Sequence, residues 1–303
     1  MKYSHIEQLE EKLLEIEPIL AGYGIFFEKL KDVPYGIQLA VKGQEDEGKA
    51  AVYYSPKRKN FSTSEIKFCE AVKKLVFCIQ GKPVFPREGL NFEAHFGSDE
   101  AGKGDFFGSL AVVAFFVDST ETEKDLLKLG VCDSKKLNDN KVAEIAQILH
   151  SKYKRNIAIV HPSVEIYNDM YSKFKNLNVL LGAMHAMAFD DLKSIFPKIE
   201  SAAFDKFADE SLVTRFLLKH QNMRIKAIVH GENSDIAIAA ASIIARDCFV
   251  KKVGVLSRRY RMKIPLGAGD NVIEAGREFI SKHGRENLKF VAKLHFQTTE
   301  KLG

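Results

Sequence analysis

The chain has 303 residues, 46% of them hydrophobic, and its 45 Lys and Arg against 40 Asp and Glu leave a formal net charge of +5. Length and apolar content allow a large globular core and favour two domains over one. Cys69, Cys78, Cys132 and Cys248 show no close pairing, which argues against a zinc ribbon or a disulfide framework and leaves reduced thiols as the expectation. Glu7, Glu10 and Glu11 stand where a signal peptide needs an apolar core, and no apolar run reaches the roughly 18 residues of a membrane span. The expectation is a soluble, cytoplasmic protein that uses no membrane and needs no obligate protein partner. Charge also changes sign along the chain: the first fifty residues are acid-rich, whereas Lys57-Arg58-Lys59, Lys73-Lys74 and the stretch holding Lys251, Lys252, Arg258, Arg259, Arg261 and Lys263 are basic. Such clusters fit phosphate backbones or, equally, solvated helix faces.

In chain order, residues 6–16 predict an amphipathic helix. Short aromatic or β-branched runs at 24–29, 36–42 and 50–54, separated by Asp32-Val33-Pro34 and an acidic turn at 45–47, predict three or four antiparallel strands. Residues 66–78 repeat apolar side chains at helical spacing and close a small α+β unit over residues 1–82. Gly81-Lys82-Pro83 and Pro86-Arg87-Glu88-Gly89 place a linker at 83–94. A second unit, 95–303, opens with apolar runs at 95–100 and 109–117 joined by a glycine loop, which predicts a hairpin. Strands at 156–160, 201–204 and 225–230 then alternate with helical patterns at 141–152, 164–196 and 210–219, before a helical tail. This order predicts an α/β fold: a mixed sheet with helices on both faces.

The hairpin loop carries the densest chemistry. Asp99-Glu100-Ala101-Gly102-Lys103-Gly104-Asp105 sets two adjacent carboxylates beside a lysine flanked by glycines. Neighbouring residues of a regular strand point to opposite faces, so Asp99 and Glu100 are expected to share a site only where the strand breaks. Gly102 and Gly104 permit positive φ and close approach of amide N–H groups to an anion, Lys103 adds a point charge, and carboxylates hold hard cations. A solvated acidic turn is the alternative.

Two further acids stand out. Asp205 ends the apolar run Ala202-Ala203-Phe204, where open α/β sheets place ligands, although Asp also serves as a turn or cap residue. Asp247 lies on the apolar face of a helix over 236–250, with Ile244, Ile243 and Ala240 three, four and seven residues before it. A charge there requires a metal or an ion pair, and Arg246 points about 100° away by helical geometry. Four acids from a hairpin, a strand end and a helix suit two divalent ions ~3.5–4 Å apart, which activate water and stabilise the leaving oxygen of a phosphodiester displacement. Closely spaced carboxylates repel, so at least one should hold its proton tightly without metal.

Four ordered segments then carry a specific likeness. Gly97-Ser98-Asp99-Glu100-Ala101-Gly102-Lys103-Gly104-Asp105-Phe106-Phe107-Gly108, Asp133-Ser134-Lys135-Lys136-Leu137, Phe204-Asp205-Lys206-Phe207 and Ala239-Ala240-Ala241-Ser242-Ile243-Ile244-Ala245-Arg246-Asp247 resemble the motifs of bacterial ribonuclease HIII, as do Asn176 to His185 and Lys293-Leu294-His295-Phe296. Lys103 between two glycines favours the HIII type over ribonuclease HII, which normally has arginine there. The resemblance implies a ribonuclease H-like mixed sheet with flanking helices, and an acidic cluster of Asp99, Glu100, Asp205 and Asp247 acting with Mg²⁺ or Mn²⁺, two ions per site. It implies endonucleolytic hydrolysis of the RNA strand of RNA–DNA hybrids, leaving 5′-phosphate and 3′-hydroxyl ends. Gly102, Lys103 and Gly104 would read the 2′-hydroxyl and Ser134, Lys135 and Lys136 would hold the backbone.

The resemblance also implies that residues 1–82 form a substrate-binding domain like half of the TATA-binding protein. The local sequence departs from that family at Tyr54-Ser55-Pro56-Lys57-Arg58-Lys59-Asn60-Phe61, where a serine-glycine-lysine turn is common. Tyr53, Tyr54 and Phe61 beside Lys57, Arg58 and Lys59 could grip a hybrid, or serve as half-buried strand aromatics. Two other readings stay open: another nuclease of the same fold, such as an exonuclease or a ribonuclease HII acting at single embedded ribonucleotides, and a nucleic-acid-binding protein whose acids are structural.

Overall fold

Leu9, Leu13, Ile16 and Leu20 recur at three- and four-residue spacing and are all buried, which makes residues Ser4–Ala21 a helix, α1, with one apolar stripe. That stripe packs with α2 (Glu70–Ile79) on one face of an antiparallel sheet in the order β1 (Phe26–Val33), β2 (Gly36–Lys42), β3 (Glu47–Ser55), β4 (Asn60–Lys67). The computed structural model describes residues 4–21, 24–43, 46–80, 92–132, 134–217, 219–220 and 222–303. It divides into two units, 1–92 and 93–303. The linker assigned to 83–94 falls outside the described residues except for 92–94. Among the described residues, no helix is long and apolar enough to cross a membrane.

Two boundaries in the first unit differ from expectation. Ile66 and Lys67 belong to β4 rather than to a helix, because ladder pairing with β3 continues to Lys49↔Lys67. Helix α2 starts only at Glu70, where Asp46 Oδ2 accepts from the Glu70 and Ala71 amides at 2.8 and 3.3 Å and Cys69 caps Val72. Tyr54 and Phe61 face each other across β3 and β4 with ring centroids 5.0 Å apart and pack against the core, so both are strand aromatics.

The second unit is built on β5 (His95–Ala101), β6 (Ala111–Val117), β7 (Ile157–Val160), β8 (Ser201–Asp205) and β9 (Arg224–Ile228), ordered β7-β6-β5-β8-β9. β5 pairs antiparallel with β6 and parallel with β8, and β8 runs parallel with β9, giving the expected mixed sheet. Its helices are α3 (Thr120–Lys128), α4 (Asp139–Lys152), α5 (Val164–Phe174), α6 (Leu177–Ile195), α7 (Ser211–Thr214), α8 (Gly231–Ser234), α9 (Ile236–Arg259), α10 (Asp270–His283) and α11 (Gln297–Glu300). The helical pattern over 164–196 is two helices: Lys175 turns left-handed at φ 51°, and Asn176 Oδ1 then caps α6 by accepting from Asn178 and Val179. The pattern over 210–219 yields only the four residues of α7, and β9 ends at Ile228 because His230 takes φ 51°.

Residue alternation along β5 sorts the two faces. Phe96 joins the core that holds Leu180, Leu181, Met184 and Phe189 of α6, whereas Gly97 faces α9. A Cβ on Gly97 would lie 2.4 Å from the Ile238 nitrogen and 2.5 Å from the Ala237 carbonyl carbon, backbone atoms that cannot yield. Glycine therefore sets how close α9 comes to the strand. Gly97→Ala should destabilise the protein by about 3 kcal/mol, the upper range for overpacking, measured by urea denaturation; an unchanged midpoint would contradict this packing.

Candidate active site

β5 does not break between Asp99 and Glu100. Its ladder runs on through Asp99↔Val113, Glu100↔Val112 and Ala101↔Ala111, so the two carboxylates leave opposite faces of a continuous strand. They still reach one cleft because the strand ends just beyond them. Gly102, at φ +90°, turns the chain where a Cβ would strike the Phe249 ring at 2.6 Å. Asp99 receives the Ser242 hydroxyl from α9 and accepts from the Glu100 amide at 2.7 Å. Glu100 faces α6, where His185 Nε2 stands 3.4 Å from its Oε2, while Lys103 Nζ stands 3.5 Å from its Oε1.

Asp205 arrives beside them because β8 runs parallel to β5, pairing Ser98 with Phe204. Its Oδ1 accepts from the Gly231 amide at 2.8 Å. Gly231 opens α8 just after β9, and the next residue, Glu232, is buried against Asp205 with Lys135 Nζ 3.2 Å from its Oε1. Asp99, Glu100, Asp205, Lys103, Lys135 and Arg246 line the same cleft.

Burial and mutual repulsion push these acids apart in acidity. Desolvation, then the charges of Glu100 and Asp205, raise Asp99 well above the ordinary carboxylate range. Burial would also raise Glu100, but His185 and Lys103 outweigh it and hold that group below its usual value. Desolvation and the neighbouring Glu232 lift Asp205 to about 6. Glu232 is the converse case: burial is outweighed by its own backbone N–H and by Lys135, so it ionises more readily than usual. Glu232 Oε2 is buried without a hydrogen-bond partner, and Glu100 Oε2 has only His185 Nε2 near it, at 3.4 Å. An anionic oxygen left unpartnered among other carboxylates fits a hard cation. Among the described residues no three side chains form a ready cage, which Mg²⁺ does not need because it keeps several of its waters.

Asp247 is not brought to this cluster. It sits on the apolar side of α9, 4% exposed, and its charge is met by Lys251 Nζ at 2.7 Å, one turn on. Ser242, Arg246 and Phe249 turn toward the cleft instead. The acid that does stand beside Asp205 is Glu232, and the signal for it in the sequence is an acid just past a strand end, the same cue that marks Asp205. Of the other expected residues, Ser134 is buried and shares a 2.8 Å hydrogen bond with Ser242, while Lys135 is largely exposed. Arg246 fixes the turn at Ser134–Lys136, donating to the Ser134 and Leu137 carbonyls and to Asp139. Asp133 and the Lys136 side chain lie outside the described residues. A Cβ on Gly104 would meet nothing within 4 Å. His185, the last residue of the family-like segment Asn176 to His185 and given no role from sequence, is fully buried beside the site and hydrogen-bonded to Ser98 Oγ at 2.7 Å; a histidine on the buried face of α6 is its signal.

A family model described as Ribonuclease HII matches residues 96–299. Ribonuclease HIII of Chlamydia pneumoniae is 39% identical over 210 residues, covering 68% of this chain and 69% of the relative. Ribonuclease HIII of Bacillus mycoides strain KBAB4 is 37% identical over 221 residues, 71% of this chain and 70% of its own. Among solved structures, Bst-RNase HIII in complex with Mn²⁺ matches with a TM-score of 0.65 and 25% identity over 95% of this chain and 94% of that one. Both units are thus spanned by the likeness.

The acidity pattern has a measurable consequence for the metal-free protein. Asp205 binds its proton more tightly folded than unfolded, about 6 against 3.8, so its contribution to stability grows as pH falls from 7 toward 4 and is lost as pH rises through 6. Asp205→Asn removes the repulsive charge and keeps an oxygen for Gly231. At pH 7.5 in EDTA it should gain roughly 1–2 kcal/mol after allowance for solvent screening, about 2–6 °C in Tm. Calorimetry in EDTA would show this, and a lower midpoint for the variant would contradict the charge arrangement.

Proposed function

The chain belongs to the ribonuclease HII/HIII family, and we propose that it is a cytoplasmic, divalent-metal-dependent endoribonuclease that cuts the RNA strand of RNA–DNA hybrids, leaving 5′-phosphate and 3′-hydroxyl ends. The observation that carries this reading is the convergence of Asp99, Glu100 and Asp205 on one cleft, with a fourth acid, Glu232, buried against Asp205. Asp99, Glu100, Asp205 and Glu232 would hold two Mg²⁺ or Mn²⁺ ions. Ions held there supply an activated water and neutralise the leaving oxygen of an in-line phosphodiester displacement.

The remaining residues bind and orient. Lys103 and Lys135 present ammonium groups at the cleft to backbone phosphates, which position without specifying sequence. Arg246 holds the turn that carries Lys135, and Ser134 supports it from within through Ser242. At Gly104 neither φ nor packing demands glycine, which supports close approach of a nucleic-acid strand to that backbone and reading of its 2′-hydroxyl there. The first unit is assigned substrate affinity: its exposed Lys57-Arg58-Lys59 turn, set between β3 and β4, offers charge to the hybrid backbone.

An end-labelled hybrid beside a duplex with one embedded ribonucleotide, each with Mg²⁺, Mn²⁺ or EDTA, tests the activity. Internal cuts in the hybrid, with metal only and the second duplex spared, are expected; efficient cutting of the second duplex would indicate an HII-type activity, and no cutting a binding protein. Asp99→Asn should abolish cleavage with hybrid binding nearly intact. Glu232→Gln should lose at least about a hundredfold, whereas Asp247→Asn should stay within a few fold of wild type; the reverse order would restore Asp247 to the site. Gly104→Ala should keep its Tm and lose about tenfold in kcat/KM, near 1.4 kcal/mol. Alanine at 57–59 should raise KM with kcat unchanged and flatten the salt dependence of binding by up to ~0.9 log units for each phosphate no longer neutralised; an unaltered salt slope would assign the first unit another partner.

A further inference from the structure

His185 is a fully buried histidine at the edge of the proposed site. It projects from α6, a helix whose buried residues are otherwise almost all apolar, where an aliphatic side chain would be cheaper to bury. Its surroundings are specific. The ring packs against Phe204 and Phe207, which also touch each other, and is stacked on Phe207 at 4.9 Å and 23°. Nδ1 is 2.7 Å from Ser98 Oγ, and Nε2 stands 3.4 Å from Glu100 Oε2. Nε2 and Oε2 have no other hydrogen-bond partner. Ser98 and Glu100 are two apart on β5 and so share the face toward α6.

We infer that His185, held by Ser98 and Phe207, is a positioning residue that aims Glu100 for divalent-metal binding. This rests on the function proposed above. Glu has three rotatable side-chain bonds, and a ligand free to swing sacrifices entropy each time it engages. His185 faces one oxygen inward, leaving Oε1 as the oxygen directed to the cleft, where Lys103 stands. A nitrogen facing a carboxylate must carry its proton there, so the Nε2–H form is the one this geometry uses. Ser98 then fixes the ring from its other nitrogen, much as the groups behind metal ligands orient them in metal sites generally. Hydrogen bonds of this kind are often long before the site is loaded and shorten afterwards.

Three variants separate positioning from packing. In His185→Gln the side-chain amide reaches the Nε2 position and can donate to Glu100. In His185→Asn it reaches only the Nδ1 position, toward Ser98. His185→Leu fills the space without a polar atom. Mn²⁺ affinity without substrate, by electron paramagnetic resonance titration, is the first readout; kcat and KM on an RNA–DNA hybrid at saturating Mn²⁺ are the second. Leu and Asn should weaken Mn²⁺ binding about 10–100-fold and lower kcat with KM within about twofold, and Gln should recover most of both.

Wild-type Mn²⁺ affinity in all three, or equal losses in all three that track a fall in Tm, would overturn the inference. The proposed function fails differently. A wild type that binds Mn²⁺ yet cuts no hybrid removes the function while the Mn²⁺ titrations still decide the role of His185. A wild type that neither binds Mn²⁺ nor cuts would overturn both.

Discussion

Four carboxylates crowded at and just past the ends of strands, three of them lining one cleft and Glu232 buried against Asp205, are the constraint on which the second unit depends. Each one alone would resist ionising there, and together they repel. The fold answers with a separate partner for each: the Ser242 hydroxyl for Asp99, His185 and Lys103 for Glu100, the Gly231 amide for Asp205, and Lys135 for Glu232. The outcome is a pairwise split. In each neighbouring pair one acid is pushed up and the other held down, Asp99 against Glu100 and Asp205 against Glu232. Charge of this kind is relieved by protons at low pH or by a divalent cation at neutral pH, and only the second leaves all four groups available as ligands.

The scaffold that makes this crowding possible is a strand gripped on both faces. Ser98 and Glu100 look toward α6, Gly97 and Asp99 toward α9, so consecutive residues acquire different neighbours without any bend in the chain. The position of α9 is set from two sides. Gly97 allows its first turn to touch the strand, and Asp235 caps that turn by accepting from the Ala237 and Ile238 amides while His95 Nε2 holds its other oxygen at 2.9 Å. Four residues past that turn, Ser242 reaches Asp99, and one further turn brings Arg246 to the Ser134–Lys136 segment. A shift of α9 would therefore move two sides of the cleft at once.

Much of this is readable from residues alone, and the failures have physical causes. Alternating β and α signals in the second unit suffice for a mixed sheet, and the glycine-flanked loop marks the cleft because its chemistry is local in sequence. The polar strand Asn60–Lys67 offers no apolar alternation to detect, since it gains its structure from pairing with β3. The expected break at Asp99 is unnecessary, because residues on opposite faces converge when a strand ends. Asp247 does lie on a buried face, yet the cation that answers it is Lys251, four residues on and one helical turn away, rather than a metal or its chain neighbour Arg246. Glu232 escapes a reading along the chain because its partner, Asp205, is a neighbour only through the parallel pairing of β8 and β9, which separates the two acids by 27 positions in the chain.

The basic groups around the cleft divide by how firmly they are held, and that division bears on what each can do. Arg246 is fixed by two carbonyls and a carboxylate, so it serves as structure whatever occupies the cleft. Lys103 and Lys135 touch Glu100 and Glu232 only through the ends of long arms whose side chains are 40% and 74% exposed. Those pairs balance charge in the metal-free protein and cost little to exchange, because an ammonium on a flexible stem moves readily from one anion to another. A divalent cation binding the two carboxylates would release both lysines toward phosphate oxygens arriving with the substrate. On the proposed function, the same two ion pairs would couple metal and nucleic acid, each making room for the other through side chains alone.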